Sequence, residues 1–293
     1  MNRYDFIYIF DCTDANPNGD PDAGNLPRLD PETGQGLVTD VCIKRKIRNY
    51  VQTTRSEPTH QIFVREKRPL NPLIAQACQQ SGVTEHAAAS GKWDKEKTKK
   101  RPQSEIRTLQ QWMCDHYYDI RSFGGVLSTG PNAGQIRGPI QISFARSIDP
   151  IVTSEHAITR LTDVDEEEGE MGRKFTVPYG LYRCQGFINP FLANQTGFSD
   201  GDRELLFTAL ENAFQFDQSA ARPAGSMAPR ALIIFEHDSE LGSAPSHKLL
   251  EAVTVKLKEG VSVPRCFNDY DVQVPKELVQ LCKEKNITLI RRI

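Results

Sequence analysis

Residues Asp5 to Cys12, reading DFIYIFDC, are apolar between their aspartates and rich in Phe, Ile and Tyr, which predicts a first strand. Ile43, Ile47 and Val51 then recur at i, i+4 and i+8 behind Thr39, a good N-cap, so a helix is expected from there to about Val51. From Thr53 the pattern changes. Ile62-Phe63-Val64 reads as a short strand and Leu70 to Ser81 as a helix. Ser104 to Tyr118 reads as another, with Ile106, Leu109, Trp112 and Met113 on one face. Ile136 to Ser147 has period two: Ile136, Ile140, Ile142 and Phe144 alternate with Arg137, Gln141 and Ser143, predicting a half-buried second strand with Gly138-Pro139 as a bulge. Gly180 to Ile188 makes a third strand. Ser199 caps a helix to about Phe216, with Leu205, Leu206, Ala209, Leu210 and Ala213 turned inward, and Arg230 to His237 is a fourth strand. Short strands around Val253 to Leu257 and Thr288 to Arg292, with a helix after Pro275, finish the chain.

Between these elements lie three unusual connections. The loop DANPNGDPDAGNLPRLDPETGQG is longer than a strand-to-helix link requires. GKWDKEKTKKRP, charged and nearly free of aliphatic residues, reads as a mobile surface excursion. Ile151 to Pro178 is an extended arm between two strands, expected to project as a long hairpin. With the helical insertion and the arm removed, the order is strand, helix, strand, strand, helix, strand. That is the split βαββαβ arrangement of ferredoxin-like and RNA-recognition-motif folds, in the α+β class.

Composition narrows the function. The chain has 293 residues, 38% hydrophobic and 25% charged, and no run approaches a membrane span. Five uncharged residues between Asp5 and Asp11 are too few for a signal-peptide core. Seven cysteines, scattered and without a C-x-x-C pair, point to reduced thiols in a cytoplasm rather than to disulfides or zinc. A net charge of −2 excludes nucleic-acid binding by bulk charge, so any such binding needs a local patch. The charges are segregated. Lys44, Arg45, Lys46 and Arg48 form one basic cluster, Arg65, Lys67 and Arg68 a second, and Lys92 to Arg101 a third, while Asp163 to Glu170 is almost entirely acidic. On the first helix Arg45, Arg48 and Gln52 are expected opposite the apolar stripe, with Lys44 and Lys46 on its flanks. Such a face is either simply solvated or a phosphate-backbone site.

The stretch from Ser122 to Pro150 carries the most distinctive chemistry. Phe123-Gly124-Gly125-Val126 sets two glycines beside an aromatic ring, and glycine allows positive φ and close approach of a ligand or a second backbone. A strand presenting Arg137 and Gln141 beside such a turn can receive a phosphate backbone, or it is an ordinary amphipathic strand. In the first loop Asp14, Asn16, Asn18 and Gly19 imitate an EF-hand, but Asn25 stands where the bidentate glutamate belongs and Pro17 interrupts it, so calcium is not expected. The six histidines are scattered, and His237 at a strand end reads as a capping or surface residue.

Four blocks, NPNGDPDAGNLPRLDPETGQGLVTDVCIKRKIRNY, FGGVL, IRGPIQISFARSIDPI and MGRKFTVPYGLYRCQGFINP, occur in order and together resemble the backbone subunit of the CRISPR-associated Cascade complex, subtype I-C, of the RAMP superfamily. The resemblance runs from Tyr4 to about Phe235. It implies a modified RNA-recognition-motif palm (1–52, 119–150 and 179–293 with a C-terminal extension), a helical fingers insertion (53–118) and a β-hairpin thumb (151–178). It implies a non-catalytic subunit, with no cofactor or metal, that polymerises with further copies of itself along a CRISPR RNA. Such a filament meets other Cascade subunits and a target DNA strand paired to the guide, in a prokaryotic cytoplasm and away from membranes. Carried onto this chain, the RNA contacts fall on Lys44, Arg45, Arg48, Phe123, Gly124, Gly125 and Arg137, and on Met171, Arg173 and Lys174 of the thumb. A subunit that must hold any guide grips phosphates and sugars and leaves base edges free, and an apolar thumb residue such as Met171 is suited to wedge between bases.

Two other readings compete. An endoribonuclease of the RAMP type, acting on CRISPR or target RNA, would draw on first-loop carboxylates such as Asp11, Asp14, Asp20 and Asp22. A plain protein-interaction module would leave all three basic clusters as solvated faces.

Overall fold

The computed structural model describes residues 1–86, 92–159 and 171–293. The first strand, β1 (Tyr4–Ala15), leads into two two-residue strands, β2 (Gly19–Asp20) and β3 (Leu26–Pro27), and an edge strand, β4 (Gln35–Val38). Helix α1 (Asp40–Thr54) starts at Thr39, whose hydroxyl accepts from the Cys42 N–H, and buries Ile43, Ile47 and Val51 as their spacing predicts. The insertion then supplies α2 (Asn71–Ser81), α3 (Lys95–Lys99), α4 (Gln103–His116) and α5 (Tyr118–Phe123). Short strands follow: β5 (Gly124–Leu127), β6 (Gly134–Arg137), β7 (Ile140–Ile142), β8 (Ala145–Pro150) and β9 (Ser154–Thr159). The long β10 (Met171–Ile188) precedes α6 (Pro190–Thr196), α7 (Asp200–Glu211) and β11 (Met227–His237). The C-terminal part comprises α8 (Ser246–Leu250), β12 (Thr254–Leu257), β13 (Tyr270–Gln273), α9 (Lys276–Glu284) and β14 (Ile287–Arg291).

The protein is α+β, built on an antiparallel sheet in the order β14-β11-β1-β10-β8-β4, with β7 also beside β10. Between Asp5 and Asp11 β1 is apolar at every position because both of its faces are covered. Phe6, Tyr8 and Phe10 point into a core with α1 and α7, while Ile7 and Ile9 point into a second core with α8, α9 and the C-terminal strands. Strands buried on both sides lose the polar alternation of a half-exposed sheet. Phe6 faces Gly186 across the β1–β10 pair, and a Cβ there would meet the ring at 1.9 Å, so only glycine admits it. A third cluster, holding Leu73, Ile74, Leu109, Met113 and Ile120, gives the helical insertion its own core. No described helix is long and apolar enough to cross a membrane.

Five expectations need correction. Ile62-Phe63-Val64 is not a strand, because the Phe63 and Val64 N–H groups donate to the Asp119 carboxylate instead of to a neighbouring strand. The predicted second strand is three pieces. Gly138-Pro139 ends the first, and after the second the phase slips at Ser143, so Ala145 and Ser147 are buried and Phe144 is 52% exposed. The helix expected to Tyr118 breaks at Tyr117, whose extended backbone separates α4 from α5. The helix expected to Phe216 ends at Glu211, beyond which the chain turns. Within the charged excursion, Asp94 caps α3 and the Arg101 guanidinium is buried against the Thr84 and Pro131 carbonyls. On the arm, β9 pairs with the outer half of β10, which runs unbroken into the central sheet. The acidic run Asp163 to Glu170 lies outside the described residues.

Candidate nucleic-acid interface

The structure brings the first group of candidate residues together. The Phe123 ring, largely buried, lies beneath two α1 cations: the Arg48 guanidinium is 5.1 Å and the Lys44 ammonium 5.8 Å from its centroid. Gly124 and Gly125 follow directly and pair with Arg137 and Ile136 of β6. The need for glycine here comes from a second backbone. Gly124 has φ +74°, and a Cβ on it would lie 2.2 Å from the Ile136 carbonyl oxygen. Its neighbour Gly138 is equally constrained, 2.2 Å from the Phe123 carbonyl carbon. The Gly124 N–H already donates to the Ile120 carbonyl, so this glycine shapes the turn and has no N–H left for a ligand.

The basic face expected on α1 is mostly consumed by the fold. Lys46 is buried and paired with Asp217. Arg48 donates from Nε to the fully buried Asp119 at 2.8 Å, which also accepts from Phe63 and Val64. Lys44 pairs with Asp40 at 2.8 Å, one turn back. Arg45 alone remains well exposed, meeting Glu66 at 3.2 Å on the surface. Asp40 was missed, although its i, i+4 spacing to Lys44 is a signal that could have found it. Asp119 and Asp217 offered none, because they are distant in the chain and carry no local signal.

Met171, Arg173 and Lys174 stand apart from this group, on the ribbon formed by β9 and β10. Arg173 is exposed and meets Glu155 at 3.0 Å, and Lys174 faces His156 across the ribbon. The side chain of Met171 lies outside the described residues.

Two of the four first-loop carboxylates are engaged with arginines. Asp11 is buried between the Arg230 Nε, at 2.8 Å, and the Tyr179 hydroxyl, at 3.2 Å. Its burial pushes the carboxyl up from its ordinary value, against the lowering effect of Arg230. Asp20 pairs with Arg28 at 3.3 Å, and Asp14 and Asp22 are exposed. In the EF-hand-like loop the Asn18 side-chain oxygen Oδ1 accepts from both the N–H and the hydroxyl of Thr39, so it is occupied in holding the start of α1. Among the described residues no three of His, Cys, Asp or Glu gather into a metal site. His237 is neither a cap nor a surface residue. It is fully buried, accepts at Nδ1 from the Ser243 N–H and therefore donates from Nε2 to Asp5 at 2.8 Å. Burial, followed by the nearby Arg121 charge, lowers the His60 pKa from its ordinary value, against the raising effect of Asp202.

A family model described as CRISPR-associated protein Cas7 matches residues 2–275. A CRISPR-associated protein Cas7 from Haloferax volcanii is 25% identical over 249 residues, covering 81% of this chain and 71% of that protein. A chain of a CRISPR RNA-guided surveillance complex, in a pre-nicking state, has the same fold. Its TM-score is 0.54 at 15% identity, over 97% of this chain and 87% of the other.

Proposed function

The chain belongs to the CRISPR-associated Cas7 family and has a backbone-subunit role in CRISPR defence, and from that premise we propose how it performs the role. It binds CRISPR RNA without cutting it, lines up with further copies along the guide, and holds it for pairing with a target DNA strand within a complex of other subunits. The strand order β11-β1-β10-β7 with α1 and α7 supports reading the centre as a modified RNA-recognition-motif palm, with residues 53–118 as fingers and 151–178 as thumb. The four sequence blocks support reading the complex as subtype I-C.

The observation that carries this reading is the gathering of Lys44, Arg48 and Arg137 around the Phe123-Gly124 turn. Since both faces of the sheet are covered, bases cannot stack on it as they do on an open RNA-recognition sheet. The guide runs instead along the rim. Arg45, Gly125 and Arg137 contact its backbone, Lys44, Arg48 and Phe123 hold the turn in place, and Arg173 and Lys174 add contacts from the arm, where Met171 is the wedge. The engagement of Asp11 and Asp20 with arginines supports the non-catalytic role.

A labelled unstructured RNA of guide length, titrated with purified protein in magnesium or chelator, tests this on native and denaturing gels. The expected result is a ladder of discrete shifts with intact RNA in both conditions. Cleaved RNA overturns the non-catalytic role. No shift at low salt overturns RNA binding by the subunit alone.

A further inference from the structure

The helical insertion meets the β5–β6 ribbon and α6 across a cleft of about 530 Å³, a size within the range of about 300–1,000 Å³ that holds small ligands. Helix α4 supplies Arg107, Gln110 and Gln111, β6 supplies Gln135 and Arg137, and α6 supplies Gln195. No Asp or Glu lines it. Among the described residues neither Arg107 nor Arg137 meets a carboxylate, whereas Arg101, Arg121 and Arg146 each do. Two guanidinium groups on one cleft without a counter-ion repel each other, and an entering anion removes that repulsion while taking charge-assisted hydrogen bonds from both.

The cleft also continues the interface described above. Arg137 pairs with Gly124 across the β5–β6 ribbon, so the cleft begins where the glycine turn ends. Beside the two arginines, its polar lining is dominated by the amides of four glutamines. One amide is already engaged, the Gln110 Nε2 donating to the Gln135 carbonyl at 2.9 Å, and a second, Gln111, donates to Asp115. The side chains of Gln135 and Gln195 are exposed to the cleft. An amide both donates and accepts, which matches a ribose 2′-hydroxyl, the group that distinguishes RNA from DNA.

We propose that this cleft is a subsite for one ribonucleotide linkage of the bound RNA, with Arg107 and Arg137 on the phosphate and Gln135 and Gln195 on the ribose 2′-hydroxyl. The proposal rests on the RNA-binding reading and adds to it a residue of the helical insertion, a phosphate position and a source of preference for RNA. The glutamines read sugar rather than base, since a guide of any sequence must fit.

The test compares wild type with Arg107→Glu, Gln195→Ala and Arg291→Glu, a control at an exposed arginine on β14, each checked for folding by thermal melting. Each is titrated with an unstructured RNA and with DNA of the same sequence at several salt concentrations. Arg107→Glu is expected to weaken RNA binding about tenfold beyond the control and to lower the salt slope by about 1, as loss of a phosphate contact requires. Gln195→Ala is expected to narrow the preference for RNA over DNA and leave the salt slope unchanged. If Arg107→Glu matches the control in affinity and slope, the phosphate position is wrong. If Gln195→Ala keeps the full preference, the sugar contact is wrong. Wild type that binds no RNA overturns the broader reading and the cleft with it.

Discussion

Along α1 four cations crowd between Lys44 and Arg48, whereas Arg107 and Arg137 each stand in the sequence without a basic neighbour. By composition the first set is the obvious interface. In the structure its members are mostly tied up: Lys46 with Asp217, Arg48 with Asp119 and Lys44 with Asp40. The isolated arginines instead share a cleft that contains no carboxylate. A run of basic residues therefore reports charge density, and the position of carboxylates in space decides which of those charges a ligand can use.

The comparison makes its strongest demand at Lys46. Leaving Asp217 buried without it is expected to destabilise the fold by about 3 kcal/mol, at the lower end for a broken buried pair because Asp217 keeps Arg222 at 2.8 Å. Urea unfolding of Lys46→Ala measures this. A change below about 1 kcal/mol would mean that the pair behaves as a surface contact, and α1 would be available after all.

Gly124→Ala comes next. The new methyl meets the Ile136 carbonyl at 2.2 Å in a backbone with φ +74°, for an expected loss of about 2 kcal/mol from strain and overpacking. RNA binding should fall as well, since Phe123, Arg48 and Arg137 are all positioned through this turn. A variant of full stability with weakened binding would show that the glycine makes room for the ligand rather than for the chain.

What the sequence revealed follows the range of the forces involved. The α1 stripe, the Thr39 and Ser199 caps and the inward face of α7 depend on neighbours within a few residues, and all were legible. The slip at Ser143 and the break at Tyr117 were not. The first depends on the Ser143 N–H reaching the Gln185 carbonyl, and the second on Asp119 being drawn toward Phe63 and Arg48. The gathering of Phe123, Gly124 and Arg137 could be guessed from the blocks they occupy, yet the commitment of Arg48 and Lys46 could not, because their partners lie 71 and 171 residues away.

A committed cation should also reveal itself through pH. Arg121 holds Asp202 with two contacts, from Nε at 3.0 Å and from Nη2 at 2.7 Å. Burial pushes the Asp202 carboxyl up, but Arg121 and the Ser199 N–H together outweigh it and hold the pKa below its ordinary value. A depressed carboxyl contributes stability that is fully present above the unfolded aspartate pKa of about 3.9 and is lost as the pH falls through the folded value. The stability gap between wild type and Asp202→Asn should therefore be widest near neutrality and narrow as the pH falls below about 4. A gap independent of pH would remove Arg121 from the committed set.

Arg45 should give the smallest change in stability and the sharpest distinction between the two kinds of cation. Its side chain is 64% exposed and that of Glu66 68%, so their contact is a surface pair that solvent screens. Arg45→Ala should then shift unfolding by less than about 0.5 kcal/mol, the ordinary scatter of surface substitutions. Because it is the one cation of α1 that the fold leaves available, the same change should lower RNA affinity severalfold and reduce the salt slope by up to about 1. Arg107→Ala should behave alike, and both should contrast with Lys46→Ala, which trades stability for no change in slope among the molecules that remain folded. If Arg45→Ala leaves the slope untouched, α1 contributes no charge to RNA at all, and the interface moves wholly to Arg137, the cleft beside it and the arm.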